Sequence, residues 1–410
     1  MALDRTKVQQ AIEAGNGILK LAPSWVPRSF MIPGRRLKLH PDDIYAFGGS
    51  RGGINERWFS STTKAANGPD TTEFEGLSFV VTTNGEKFLL KDAVEVAGDL
   101  LLSKEVFDRE QGWNILCKFF DNEGPIPHHM HQNDEHASAV GFKGKPEAYY
   151  FPPQYNQTFN NFPFTFMGLT PGTTKEQIRA CLEKWEQGDN GITFLTSAYR
   201  LEPGAGWQIN PGILHAPGSL CTYEPQVNSD VFGMFQSEVE GRIVPWELLV
   251  KDVPEGKKHD IDYIISMLDW DANLDPNFAE NNKVFPIVAS SGEGYEEKWI
   301  VYGTKFYSAK ELTVKPGATV TIKDAEAYGL IVVQGYGDFG GTPVSTPSMI
   351  RFGDLTEDEL FVTAAAAQKG VVIKNPSTTD PLVILKHFGP GNPDAKPLIK
   401  EKTGPSSWKK

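Results

Sequence analysis

The sequence predicts a mainly β protein that contains two β-rich units. Its 410 residues include 40 glycines and 29 prolines, and so many turn-forming residues suit short strands better than long helices. The C-terminal third consists of short β-type runs separated by glycine turns, a pattern typical of a barrel or a sandwich. The N-terminal part instead places three of the eight histidines within four positions, at residues 128, 129 and 131. Because a chain of this length is long for one compact domain, we expect two or three units.

Five segments follow from these patterns. Residues 4–21 have the spacing of a short amphipathic helix, and a second helix near 173–187 begins with the capping-box spacing of Thr173 and Glu176. The only histidine of the C-terminal unit is His387, and two similar barrels would amount to a coarse duplication. The predicted segments are an N-terminal helix and lead-in (1–45), the histidine-bearing β unit with its inserted helix (46–258), a connecting helix and linker (259–283), a second β unit (284–400) and a polar tail (401–410).

The charge, the cysteines and the N-terminus exclude several classes of protein. A net charge of −12 without a basic block argues against a general nucleic-acid binder, although local cations could still favour an anionic substrate. Three widely spaced cysteines indicate reduced packing residues of an intracellular protein rather than a disulfide framework. The N-terminus has no apolar signal core, and no apolar run is long enough to span a bilayer. We therefore expect a cytoplasmic protein.

The histidine run predicts a metal site. On a β-strand His129 and His131 would point to the same face, and Lys145 and Glu147 would do so on a later strand. A turn further on is followed by a lone histidine, His215. Three imidazoles and one carboxylate suit zinc, iron, manganese or nickel. The alternative interpretation is a histidine-rich surface hairpin.

Several short stretches carry a family resemblance. In chain order they are residues 56–60 (ERWFS), 67–69 (NGP), 118–121 (KFFD), 129–137 (HMHQNDEHA), 144–147 (GKPE), 168–176 (GLTPGTTKE), 211–216 (PGILHA) and 228–230 (NSD). In this order they resemble the cupin superfamily and, more closely, the class I mannose-6-phosphate isomerases. The resemblance covers residues 45–235, with a fainter similarity near 330–335. It implies a cupin, that is, a jelly-roll β-barrel with inserted helices, followed by a second, smaller cupin-like barrel that binds no metal.

The resemblance also implies a reaction and a site. We expect reversible aldose–ketose isomerisation of a sugar phosphate by proton transfer through an enediolate, with mannose 6-phosphate and fructose 6-phosphate as the first pair. One divalent metal, zinc before iron, manganese or nickel, would be held by His129, His131, Glu147 and His215. Lys145 would lie beside the cation, which favours its neutral form and makes it a usable base or donor. Glu224 matches a family carboxylate proposed to act in proton transfer. The alternative for Lys145 is a solvated strand lysine, and the alternative for Glu224 is a rim carboxylate paired with a nearby base.

Three positions depart from the family. It usually has glutamine where this chain has His129, its arginine after the Ser-Asp pair falls at about Met234, and Pro127 replaces a serine upstream of the metal strand. Arg242 lies too far along the strand to be an assured substitute for that arginine. The family associates the arginine and serine positions with substrate or phosphate handling. The resemblance to the family therefore supports the metal site more strongly than it supports the substrate.

Other functions and residues stay open at this point. The chain could isomerise an unphosphorylated sugar, or it could be a cupin dioxygenase with iron, nickel or copper, which would not explain Lys145 or Glu224. It could also be a non-catalytic sugar-binding cupin, consistent with the lost arginine. We expect a small-molecule sugar or sugar phosphate as partner, no nucleic acid and no membrane, and the sequence is compatible with a homodimer. His128 is out of phase with its neighbours and is expected to be structural, while His136 is expected outside the metal ligands or at the surface.

Overall fold

Short antiparallel strands make up most of the regular secondary structure in the computed structural model, which describes residues 3–157 and 163–399. The chain begins with α1 (Arg5–Ala14), β1 (Ile18–Leu21), β2 (Ser24–Arg28), β3 (Gly53–Phe59), β4 (Phe79–Val81), β5 (Lys87–Leu89), α2 (Leu90–Leu101) and α3 (Lys104–Glu110). It continues with β6 (Ile115–Phe120), β7 (His129–Met130), α4 (Asp134–Ser138), β8 (Glu147–Tyr150), β9 (Phe164–Leu169), α5 (Lys175–Leu182), β10 (Thr196–Arg200), β11 (Gly206–Ile209), β12 (His215–Ala216), β13 (Thr222–Val227), β14 (Gly233–Met234), β15 (Glu238–Val239) and β16 (Arg242–Ile243).

The remaining elements lead into the C-terminal unit. They are α6 (Trp246–Leu249), α7 (Ile261–Ser266), α8 (Trp270–Asn273), α9 (Phe278–Asn282), β17 (Lys283–Val284), β18 (Ile287–Gly292), β19 (Tyr295–Val301), β20 (Ser308–Val314), β21 (Thr319–Ile322), β22 (Tyr328–Gln334), β23 (Tyr336–Phe339), β24 (Thr342–Ser345), β25 (Glu359–Val362), α10 (Ala364–Lys369), β26 (Val371–Lys374) and β27 (Leu382–Phe388). The predicted connecting helix is therefore three short helices, α7 to α9. The predicted tail, 401–410, lies outside the described residues.

The predicted N-terminal helix is shorter than expected. The side chain of Asp4 caps α1 by accepting from the backbone N–H of Lys7 at 2.9 Å. The helix ends at Ala14 because Asn16 and Gly17 take positive φ angles of 52° and 83° and turn the chain. The following residues form β1, which pairs with β25 of the C-terminal unit. The second half of the predicted helix was therefore wrong, since distant strand pairing overrides its local pattern.

The inserted helix is where the sequence predicts it, but its cap is displaced by one residue. Thr174, not Thr173, is the N-cap, and it forms a reciprocal capping box with Gln177. Ile178, Cys181 and Leu182 are buried, as the apolar stripe predicts. The stripe packs into a buried cluster that also contains Met130 on β7, Leu169 on β9 and Ile264 on α7.

The two β units repeat one strand order. In the seven-stranded sheet the neighbours run β2-β3-β6-β13-β8-β11-β17, and in the nine-stranded sheet the corresponding run is β18-β19-β20-β27-β22-β25-β1. The smaller sheets agree as well, since β10-β9-β12-β7 in the first unit corresponds to β24-β23-β26-β21 in the second. The expected duplication is thus present as a repeated topology.

The mainly β class is confirmed, and each unit consists of two packed sheets. Phe120 on β6 and Met167 on β9 belong to one buried cluster that joins the seven- and five-stranded sheets, and Leu330 on β22 and Ile373 on β26 do the same in the second unit. In the described residues every sheet keeps two edge strands, so none closes into a barrel. The cavity described below lies between the two sheets of the first unit.

The two units share a core. Strand β1 and the pair β4–β5 extend the sheet of the second unit, although they come from the N-terminal part of the chain. At the contact between the units, Arg57 on β3 donates to both carboxylate oxygens of Asp358 at 2.7 and 2.8 Å. The three cysteines are buried and form no disulfide, as expected. Among the helices described, none is long and apolar enough to cross a membrane.

Candidate active site

Three histidine rings meet in the first unit. His129 on β7 and His215 on β12 are direct partners in neighbouring strands. His131 follows β7 and faces the same way as His129, as the alternation of a strand predicts. The ring centroids lie 4.2 to 5.2 Å apart, and the potential ligand atoms lie within 4.8 Å of one another. Within residues 3–157 and 163–399, this is the one group of three such side chains that could hold a metal ion.

Backbone carbonyls fix the tautomer of all three rings. The Nδ1 atoms lie at hydrogen-bond distance from carbonyl oxygens in the pairs His129 with Pro127 (2.8 Å), His131 with Val231 (2.7 Å) and His215 with Ile213 (2.9 Å). A carbonyl only accepts, so each Nδ1 carries the proton and donates it, and Nε2 of the neutral ring keeps its lone pair. Burial lowers the pKa of His131 to about 4 and that of His129 well below its ordinary value. Neutral rings with free Nε2 atoms are what a divalent metal requires.

Glu147 faces two of these rings from the opposite sheet. Its Oε1 lies 3.1 Å from Nε2 of His215, and its Oε2 lies 3.1 Å from Nε2 of His131. Tyr149 donates to Oε1 at 2.5 Å. Nε2 of His215 is buried without a hydrogen bond, so an acceptor nitrogen faces an acceptor oxygen with no proton between them. A cation between these groups would satisfy both, and the nitrogen-and-oxygen donor set suits zinc. The residues present therefore fit a divalent metal, with Glu147 beside the group of three histidines.

Lys145 and Glu224 lie next to the carboxylate of Glu147, as the shared strand face predicted for Lys145.

 The Nζ atom of Lys145 is 3.0 Å from Oε2 of Glu147, 3.2 Å from Nε2 of His131 and 3.5 Å from Oε1 of Glu224. Burial alone would lower the pKa of Lys145, but the two carboxylates outweigh it and the pKa is raised. The lower pKa of Lys145 that we expect from the sequence requires the charge of a bound cation. Burial and the charge of Glu147 raise the pKa of Glu224 to about 8.

Further buried charges continue this contact in alternating sign. Lys118 lies 3.5 Å from Oε2 of Glu224 and 3.5 Å from Oε1 of Glu56. Arg28 donates through Nε to Glu56 at 3.2 Å, and through Nη1 and Nη2 to both oxygens of Asp230 at 3.2 and 3.0 Å. Arg28, Glu56, Lys118 and Glu224 are buried, and the side chain of Asp230 is 8% exposed. Each cation in this series of contacts therefore has two carboxylate partners.

The second unit contains an equivalent cluster without histidines. Trp58 pairs with Lys118 between β3 and β6, and Trp299 pairs with Lys310 between the corresponding strands β19 and β20. A glutamate precedes each tryptophan by two positions, Glu56 in one unit and Glu297 in the other. This glutamate, tryptophan and lysine recur in the second unit, where the described residues hold no group of three potential metal ligands, so we assign them a scaffolding role. The features particular to the first unit are the histidines, Lys145, Glu147 and Glu224.

In the second unit, the corresponding cluster contains two buried lysines. Lys310 and Lys386 are register partners on β20 and β27, and each lies 2.7 Å from a different oxygen of Asp324. Both also contact Glu297. Two buried positive and two buried negative charges therefore balance one another.

A small cavity of about 40 Å³ opens onto the site. The charged residues of the first unit described above line it, and the apolar part of the lining consists of Phe30, Met31, Phe120, Ile126, Phe232 and Met234. Met234 thus takes the place in which the family resemblance puts an arginine. The sequence did not indicate Arg28, which lies on the fully buried strand β2 outside the motifs. The only available signal was a basic residue close to a short apolar run.

The two remaining histidines of this region are not among the ligands. His128 points away from the site, and its ring nitrogens lie 2.8 Å from Oε1 of Gln236 and 2.9 Å from Oγ1 of Thr196. His136 is partly buried, and its Nδ1 lies 3.0 Å from Oδ1 of Asn133. The structure therefore places both residues outside the group of three histidines.

The fold has counterparts among solved structures, although no protein-family model and no curated protein sequence matches the chain. It is similar to mannose 6-phosphate isomerase from Bacillus subtilis, with a TM-score of 0.60 and 17% identity over 91% of this chain and 99% of that chain. A zinc-bound mannose 6-phosphate isomerase has a TM-score of 0.60 at 14% identity, over 91% and 100% of the two chains. A phosphomannose isomerase from Salmonella typhimurium has a TM-score of 0.60 at 12% identity, also over 91% and 100%. At these identities the likeness establishes the fold, and it is the fold of the family that the ordered motifs resemble.

Proposed function

We propose that this protein is a metal-dependent aldose–ketose isomerase that acts on a sugar or a sugar phosphate. The observation that carries the proposal is a group of three imidazoles and a carboxylate that lies at one cavity, whose lining includes two of the imidazoles, this carboxylate, a lysine and a second carboxylate. The proposal also takes the two units as cupin jelly rolls, and their common strand order supports this.

The metal would be held by His129, His131, Glu147 and His215, with zinc as the first candidate. The zinc-bound neighbour and the nitrogen-and-oxygen donor set support that choice. A divalent cation there would polarise the adjacent oxygens of the sugar. The carbonyl partners of the three Nδ1 atoms would hold the rings in the orientation that coordination needs.

Lys145 and Glu224 are proposed to move the protons. Isomerisation breaks the C–H bond next to the carbonyl, passes through an enediol and returns a proton to the neighbouring carbon, while a second proton moves between the two oxygens. Two proton-carrying groups are therefore needed on one side of the sugar. Lys145 and Glu224, 3.5 Å apart on the cavity wall, would provide them.

The direct test is isomerisation and carbon-hydrogen exchange in deuterated water by metal-loaded protein. Mannose 6-phosphate with fructose 6-phosphate is the first pair, and free hexoses and pentoses complete the panel. Lys145→Ala should keep the metal and lose ~100- to 10,000-fold in rate, since a general acid or base is removed. The exposed Lys143, two positions away, provides the matched control Lys143→Ala, which should keep full activity.

Loss of activity in both lysine variants, or in neither, would contradict the role of Lys145. If the metal-loaded protein exchanges no carbon-bound hydrogen of any sugar in the panel, the isomerase proposal fails. Oxygen uptake with a diol substrate would then favour a dioxygenase, and metal-dependent sugar binding without turnover would favour a binding protein.

A further inference from the structure

We propose that the substrate of this site is an unphosphorylated sugar, a neutral aldose and its ketose, and this inference rests on the isomerase function proposed above. A phosphate dianion needs cationic or N–H donors that are free to contact it. The cavity offers few such donors, because of how its charges are paired.

Each cation on the cavity wall already contacts carboxylates. Arg28 is held by Glu56 and by both oxygens of Asp230. Lys118 lies 3.5 Å from Glu56 and 3.5 Å from Glu224. Withdrawing any of these cations towards a phosphate would leave a buried carboxylate without its partner, which strongly destabilises a protein interior.

The third cation, Lys145, is equally engaged. It contacts Glu147 at 3.0 Å and Glu224 at 3.5 Å. On the lining described, three cations therefore face four carboxylates, and no cation lacks an acidic partner. A bound divalent metal would add positive charge only at the histidines, where the reacting carbons of the sugar must lie.

The rest of the wall is apolar. A phosphate directed away from the paired charges would therefore meet aromatic, aliphatic and thioether groups, such as Phe30, Phe232 and Met234. Two further cations lie close to Phe30 and Phe232, outside the lining described. Arg242 donates through Nη1 to the carbonyl oxygen of Phe30 at 3.0 Å and through Nη2 to Glu240 at 3.4 Å, while its Nε has no hydrogen-bond partner, and Lys251 contacts a carboxylate at 3.2 Å.

The same wall suits the groups of a neutral sugar. Hydroxyls both donate and accept, so a carboxylate paired with a lysine offers each hydroxyl an acceptor and a donor. The aromatic side can cover the C–H faces of the sugar, and apolar walls with a few polar groups are usual for small-molecule sites. Recognition of hydroxyls therefore uses the paired charges as they stand.

The first experiment compares mannose with mannose 6-phosphate, and the corresponding free and phosphorylated pentoses, on one metal-loaded preparation. We expect kcat/KM to favour the free sugar by at least ~10-fold, because every cation of the lining described already contacts a carboxylate and is not free to bind the phosphate. Inorganic phosphate should not compete with the free sugar. A preference for the phosphorylated sugar overturns this inference and leaves the isomerase proposal intact, whereas absence of exchange with every sugar defeats both.

The second experiment frees a cation on purpose. Asp230→Asn removes one of the two carboxylate partners of Arg28 and should shift the kcat/KM ratio of phosphorylated to free sugar upward by ~10-fold or more. Asp271→Asn is the control, because Asp271 is an exposed aspartate outside the cavity lining and its loss should leave the ratio unchanged. An unchanged ratio in folded Asp230→Asn overturns the inference. If circular dichroism shows that Asp230→Asn does not fold, the variant Glu56→Gln, which removes the other carboxylate partner of Arg28, is used in its place.

Discussion

Replacing His131 by alanine tests the metal site most directly, because its neighbour His128 is a built-in control. The two rings are 3% and 2% exposed and lie on the same short segment. His131 presents its unprotonated Nε2 towards Glu147 and Lys145, whereas both ring nitrogens of His128 are engaged by Gln236 and Thr196. Only His131 can therefore give a ring nitrogen to a metal.

The expected magnitudes separate the two variants. Apparent binding free energies of structural zinc sites are about 10–16 kcal/mol, so each of four ligands accounts for about 3–4 kcal/mol. Loss of His131 should thus weaken zinc binding by ~100- to 1,000-fold, at 1.4 kcal/mol per tenfold. Each variant also leaves a buried hydrogen-bonding group unsatisfied, which lowers the free energy of unfolding by about 1–3 kcal/mol. The metal-free proteins should therefore be similarly destabilised, and only the response to zinc should differ.

The assay measures metal content after dialysis, zinc affinity against a competing chelator, and Tm with and without zinc. Wild type and His128→Ala should retain one metal per chain and gain Tm on zinc addition. His131→Ala should lose most of the metal and most of the gain in Tm. Equal metal content and affinity in His131→Ala and wild type would refute the assignment, and loss of metal from His128→Ala would place the site elsewhere.

Three further predictions concern stability. Lys386→Met should lower the free energy of unfolding by about 3–5 kcal/mol in urea denaturation, because it leaves the buried carboxylates of Asp324 and Glu297 undercompensated. Adding Asp324→Asn should recover part of this loss, and no recovery would speak against the charge balance. Burial, partly offset by Arg57, raises the pKa of Glu359 from 4.5 to about 7, so the stability that its proton contributes is complete below pH 4.5 and is lost as the pH rises through 7. Relative to Glu359→Gln, the wild type should lose about 3 kcal/mol between pH 4.5 and 8, and parallel pH profiles would contradict this. Removal of a bound divalent metal with a chelator should lower Tm, and an unchanged Tm would show that metal and folding are not linked.

The sequence by itself determined the local features of the site. Strand alternation put His129 and His131 on one face, and it did the same for Lys145 and Glu147, because successive side chains of a strand point to opposite sides. The order of short motifs indicated the fold. The apolar stripe of α5 was also readable from spacing alone, although its cap was displaced by one residue.

Only the tertiary structure decided how these pieces meet. His215 reaches His129 because β12 pairs with β7, and Glu147 arrives from the other sheet of the unit, a juxtaposition that no local pattern encodes. Arg28 joins the cavity through pairings with residues far along the chain, and a lone buried arginine gives no sequence signal. The repeated strand order was equally hidden, since it depends on which strands pair and not on which residues they contain. Helical spacing in residues 18–21 likewise yielded to pairing with β25, because hydrogen bonds and burial in a sheet outweigh a weak local preference.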